Sequence, residues 1–77
     1  MRPEDLKAIR DREPFQPFRI VLTDGKGFEI PHRDFLIVTK HVIEIGLRGD
    51  TEIGIPEELV RCSPLHIVRV EPLTAAA

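Results

Sequence analysis

Pro17-Phe18-Arg19-Ile20-Val21-Leu22-Thr23-Asp24-Gly25-Lys26-Gly27-Phe28-Glu29-Ile30-Pro31-His32 decides the fold of this chain. Phe18, Ile20 and Leu22 alternate with Arg19, Val21 and Thr23. Beyond the turn, Phe28 and Ile30 alternate with Gly27 and Glu29. A period of two broken by Asp-Gly predicts a β-hairpin. Opposed residues share a face, so loop length must let apolar meet apolar. A two-residue Asp24-Gly25 loop would set Ile20 against Glu29 and put a carboxylate on the core face. A three-residue Thr23-Asp24-Gly25 loop pairs Ile20 with Phe28, Phe18 with Ile30 and Arg19 with Glu29. The core face is then clean, and the outer face gains opposite charges. Such loops end in a left-handed residue, which Gly25 supplies without steric cost. Pro31 ends or bends the second strand, because it cannot donate to a ladder.

Upstream, residues 2–12 read as a short helix. Pro3 suits the first turn, Glu4 and Asp5 sit at the positive end of the dipole, and Lys7, Arg10 and Arg12 lie toward the negative end. Leu6 and Ile9 form its narrow apolar stripe. A helix this short must dock to persist. Glu13-Pro14 stops it, and Phe15 leads in to cover one end of the sheet.

Downstream, residues 35–39 and 42–47 are apolar runs rich in β-branched residues. A Lys40-His41 loop pairs Val38 with Ile43, Leu36 with Ile45 and Ile37 with Glu44, although Lys-His is a poor turn dipeptide. Residues 48–54 form a loop. Residues 59–62 read as a short strand with Val60 and Cys62 inward. Ser63-Pro64-Leu65 is a tight turn or 3₁₀ turn. Residues 67–71 close the sheet with Val68 and Val70 inward, and Pro72 ends it. The connection between strands four and five is left open by the sequence. The expected core is Phe18, Ile20, Phe28, Ile30, Leu36, Val38, Ile43, Ile45, Val60, Val68 and Val70, with Leu6 and Ile9 docking the helix. The domain spans 1–73, and 74–77 is expected to fray.

Seventy-seven residues make one small domain with a thin core. A net charge of −2 argues against an electrostatic nucleic-acid binder. Trp, Tyr and Asn are absent, which removes most stacking and amide base-reading groups. A single cysteine and the lack of a signal-peptide pattern point to the cytoplasm. No apolar run approaches the length of a membrane span.

A helix followed by short strands and tight turns predicts a mostly-β, small antiparallel barrel of about five strands with a short N-terminal helix. The segments Pro14-Phe15-Gln16-Pro17-Phe18-Arg19-Ile20, Leu22-Thr23-Asp24-Gly25, Pro31-His32, Asp34-Phe35, Leu65-His66-Ile67 and Arg69-Val70-Glu71 resemble a family of short uncharacterised bacterial proteins. That likeness covers most of the chain and implies no activity. The helix, the Leu22-Thr23-Asp24-Gly25-Lys26 strand end, Val60-Arg61, Ile67 and Val70 resemble the Sm-like fold, whose members form rings and in many cases bind RNA. The RNA pocket of that family uses an Asp-hydrophobic-Asn motif and a basic-Gly pair. Here Asp34-Phe35-Leu36 matches only the first two positions, and Cys62 follows Arg61. The resemblance therefore implies an SH3-like or Sm-like barrel without its RNA pocket.

No stretch forms a catalytic or cofactor motif. Ser63, His66 and Asp34 are triad residue types, but a triad is defined by geometry. The simpler reading has Ser63 open a turn and His66 face solvent. His32, Asp34, His41 and His66 are metal-ligand types without ligand spacing, and Cys62 has no thiol partner, so these read as rim histidines and a small core cysteine. Arg48-Gly49-Asp50 spells an adhesion tripeptide with the composition of any polar loop. Arg19, Arg61 and Arg69 have Glu29, Glu58 and Glu71 as neighbours, which predicts a mixed-charge face. The chain therefore reads as a non-enzymatic protein-interaction module, self-associating through a strand edge, with Sm-like RNA binding as the alternative. No cofactor is expected. The candidate interaction surface is Ile37, Val42, Glu44 and Arg61, where Ile37 and Val42 would be exposed apolar groups in a monomer.

Overall fold

The hairpin forms in the expected register. In the computed structural model, which describes residues 1–73, β1 (Phe18–Leu22) and β2 (Gly27–Ile30) pair Phe18 with Ile30, Arg19 with Glu29 and Ile20 with Phe28. Leu22 N–H donates to the Lys26 carbonyl, which leaves Thr23-Asp24-Gly25 as the loop. Gly25 takes φ 88°, and the Asp24 carboxylate accepts from Lys26 N–H at 2.9 Å. The expected tail over 74–77 lies outside the described residues.

The helix α1 (Pro3–Arg10) is shorter than expected at both ends. Leu6 is fully buried and Ile9 half-buried against the core. Phe15 lies tilted against Phe18 with ring centroids 5.9 Å apart, and the Arg33 guanidinium sits 5.7 Å from its ring centre.

The second hairpin also keeps its register. β3 (Leu36–Val38) and β4 (Ile43–Leu47) pair Leu36 with Ile45, Ile37 with Glu44 and Val38 with Ile43. Neither Lys40 nor His41 adopts a positive φ. The Thr39 hydroxyl closes the turn instead, donating to the Val42 carbonyl at 2.6 Å and accepting from Val42 N–H at 3.1 Å. β5 (Glu58–Cys62) adds to β4, with Glu44 opposite Arg61 and Gly46 opposite Leu59. A 3₁₀ turn at Pro64–His66, with the Ser63 hydroxyl accepting from Leu65 N–H, leads into β6 (Ile67–Pro72).

The expected barrel of about five strands is corrected. The described residues form six strands in two antiparallel three-stranded sheets, β2–β1–β6 and β3–β4–β5, with no ladder closing one onto the other. Two corners separate them: Pro31 with the 3₁₀ turn Arg33–Phe35, and the Ser63–His66 turn. The core lies between the sheets, built from Leu6, Phe18, Ile20, Ile30, Leu36, Ile43, Ile45 and Ile67, and Phe35 joins the same cluster from the corner before β3. Phe28, Val38, Val60, Val70 and Cys62 are half-buried, less than expected, because each lies toward a rim of the open sandwich.

Val68 is a further correction. It is 54% exposed, while Ile67 is 4% exposed. β6 pairs Arg69 with Val21 and Ile67 with Leu22, so Val68 is an extra residue against β1. A bulge of this kind breaks the alternation and sends the extra side chain out. Phe35 and Val21 are buried although parity turns them outward. Gly46, next to the Leu36–Ile45 pair, has no side chain; a Cβ there would lie 3.0 Å from the Phe35 ring and 2.7 Å from Pro56 Cβ. Phe35 and Pro56 fill that space. Val21 sits opposite Gly27, and the Arg19 stem crosses the space above Gly27, so alkyl carbons cover the outer face there.

The connection between β4 and β5 is an ordered loop. Arg48 (φ 55°) and Gly49 (φ 90°) turn the chain out of β4. Asp50 and Ile55 then exchange backbone hydrogen bonds at 2.9 and 3.1 Å.

Candidate interaction surface

Ile37, Glu44 and Arg61 stand in one row across β3, β4 and β5 on the face turned away from the core. Ile37 is exposed, and Glu44 Oε1 accepts from Arg61 Nη2 at 3.3 Å. Val42 lies beyond that row, two residues before Glu44, and is corrected from exposed to half-buried, in the turn that the Thr39 hydroxyl brackets. The structure therefore gathers all four candidate residues on or beside one sheet face. Leu59 joins them and was missed. It lies opposite Gly46, two residues from Arg61, and is exposed. Its signal was present, because Val60 inward requires Leu59 outward. Beyond Gly46 the face is closed by Phe35 and Pro56.

The far edge of β3 is covered. α1 lies along it, and Arg10 Nε donates to the Leu36 carbonyl at 2.6 Å. Arg10 Nη1 also reaches Asp11 at 2.8 Å, and Nη2 lies 3.6 Å from Asp34. The far edges of β2, β5 and β6 have no strand partner among the described residues.

The outer face of β2–β1–β6 carries a chain of opposite charges. Arg19 contacts Glu29 at 3.1 Å and Glu71 at 3.9 Å, and Arg69 contacts Glu71 at 2.7 Å. Glu58, expected beside these arginines, pairs with Arg48 instead, while Glu44 takes Arg61.

The remaining candidates separate in space. The Ser63 hydroxyl accepts from Leu65 N–H at 3.1 Å, and the Asp34 carboxylate lies by Arg10 and His32. His32 Nδ1 accepts from Asp34 N–H at 3.0 Å and caps the 3₁₀ turn. His41 is in the β3–β4 turn and His66 in the turn before β6. Among the described residues, no group of three His, Cys, Asp or Glu side chains is placed to hold a metal. Cys62 is half-buried, and burial pushes its thiol pKa up. In the Arg48-Gly49-Asp50 tripeptide, Arg48 pairs with Glu58, and the Asp50 carboxylate accepts from Glu52 and Ile53 N–H at 3.0 and 3.2 Å. Both charged groups serve the loop itself. No described helix is long and apolar enough to cross a membrane. No protein-family model, curated protein or solved structure matches the chain.

Proposed function

We propose that the chain is a non-enzymatic protein-interaction module that self-associates in the cytoplasm. The observation that carries this reading is the exposure of Ile37 and Leu59 on one face of β3–β4–β5, either side of the Glu44–Arg61 pair. A partner surface would cover this apolar area, and the ion pair would fix its orientation. The unpaired far edges of β5 and β6 offer backbone groups to the same end. As a fold, we read the molecule as an opened relative of the SH3-like and Sm-like small barrels. The N-terminal helix, the meander of short strands and the 3₁₀ turn before the last strand support that reading.

RNA binding of the Sm-like kind ranks below this. The strand arginines each face a carboxylate: Arg19 faces Glu29, Arg61 faces Glu44 and Arg69 faces Glu71. A face so neutralised releases few counterions on meeting phosphate. Sedimentation across a concentration series tests the first reading, and strictly monomeric behaviour at the highest concentration refutes it. Saturable single-stranded RNA binding with a steep salt dependence would reverse the ranking.

A further inference from the structure

Two patches at opposite ends of β4 complement each other. The strand begins just after the Thr39–Val42 turn and ends where the 48–57 loop begins. Its five residues hold its first and last Cα atoms roughly 14 Å apart at about 3.4 Å per step, and both patches lie beyond them.

The first patch is a groove of about 360 Å³ between the chain's first residues, the Pro64–His66 turn and the β3–β4 turn. Met1, Pro3, Pro64 and Leu65 form its apolar walls, and its ionisable side chains are Lys40, His41 and Arg2, the last of which also pairs with Asp5. Leu65 is 82% exposed beside it.

The second patch is the tip of the 48–57 loop. Ile53 and Ile55 flank Gly54 and are 61% and 60% exposed. Residues 48–58 contain four acids, Asp50, Glu52, Glu57 and Glu58, against one base, Arg48. The tip is built rather than loose. The Asp50 carboxylate caps the Glu52 and Ile53 amides, Asp50 and Ile55 exchange backbone bonds, and Gly54 (φ 76°) is buried against His32. A fixed backbone holding two isoleucines in water loses little freedom on docking.

We propose that the Ile53–Ile55 tip of one copy docks in the Leu65–Lys40 groove of a second copy, head to tail. This rests on the self-association reading above and places the contact between copies at the tip and the groove, leaving the Ile37–Leu59 face to a partner of another kind. The groove is apolar with a basic rim, and the tip is apolar with acidic neighbours. A chain cannot fill its own groove, because β4 holds its tip away. The contact is heterologous, so it propagates into a ring or an open filament instead of stopping at a two-fold dimer. It also weakens as salt screens the acidic tip from the basic rim.

The test is sedimentation of the full chain, alone and in mixtures. Ile55→Lys disables the tip and leaves the groove; Leu65→Glu disables the groove and leaves the tip. Both side chains are exposed, so both variants should keep the melting temperature that the parent shows when diluted to monomers. If either melts early, Ile55→Ser and Leu65→Ser replace them. The parent should grow in mass with concentration and shrink with added salt. Each variant alone should stay monomeric. Their equimolar mixture should form a two-chain species and go no further, since only one productive contact remains. A parent that assembles while both variants assemble equally, or a mixture that stays monomeric, overturns the head-to-tail contact and leaves self-association standing. A parent that is monomeric throughout overturns both.

Discussion

Arg10 Nε donates a 2.6 Å hydrogen bond to the Leu36 carbonyl, so a helix side chain occupies a position where a neighbouring strand would bond to β3. The edge of β3 is thereby blunted. Arg10→Met keeps the alkyl stem and loses the donor. A hydrogen bond to a charged group contributes about 1.5–3 kcal/mol, and urea unfolding should show a loss in that range. Amide exchange in α1 and β3 should accelerate together, because the bond joins them. Faster exchange in the helix alone would mean that Arg10 does not hold β3.

Gly46 leaves the space that Phe35 and Pro56 fill. Gly46→Ala should destabilise by about 1–3 kcal/mol, the usual cost of overpacking a filled site. Phe35→Leu vacates part of that space. In the double variant the two costs should add to less than their sum, since the residues share one site. Strict additivity in thermal or urea unfolding would show that Phe35 does not press on Gly46.

The bulge makes opposite predictions for adjacent residues. Ile67→Ala should cost about 2–5 kcal/mol, as for a buried aliphatic truncation. Val68→Thr should change stability by no more than about 0.5 kcal/mol, as for an exposed site. Equal costs at both positions would place β6 in an unbroken alternation.

Hydrogen bonds from Lys7 and Arg10 hold the Asp11 carboxyl below its ordinary value, and Arg2 does the same for Asp5. A carboxyl whose value is lowered by folding adds stability that is fully present above its unfolded value of about 3.9. That stability is lost as pH falls through the lowered folded value. The helix should therefore loosen on the acid side of pH 4, with no effect near neutrality. Asp11→Asn should flatten the acid limb of a helix-monitored titration, by a small amount because the group is exposed. An unchanged limb would assign the acid response to other carboxylates.

Both hairpin registers were legible because parity is a local property. Ile20 opposite Phe28 and Leu36 opposite Ile45 follow from alternation and loop length alone. The Lys40-His41 turn succeeds despite its dipeptide because the Thr39 hydroxyl brackets Val42, a device visible only in three dimensions. Val68 was misread because its bulge is set by pairing with β1, far away in sequence. Phe35 was read only as the start of a strand, since its burial needs Gly46 and Pro56 brought together by the loop. The open sandwich depends on how two corners direct their strands, and sequence periodicity carries no such angle. The row Ile37, Glu44 and Arg61 follows from parity, whereas no alternation marks the Ile53–Ile55 tip, which straddles the end of the loop expected over 48–54.

Sheet β3–β4–β5 is a meander whose strands pair in the order they are made, whereas β1 waits for β6. The meander has all its strand partners within residues 36–62. The β1–β2 hairpin, by contrast, keeps one side of β1 bare until residues 67–72 pair with it. The ladder from Phe18 to Pro72 joins the first strand to the last one described, so it closes the longest loop of any pairing in the fold. A message cut short after Cys62 would yield a meander tethered to a β1 bare on one side, a sticky product of the sort that chaperones and proteases recognise. Pairing with β6 is what conceals that edge.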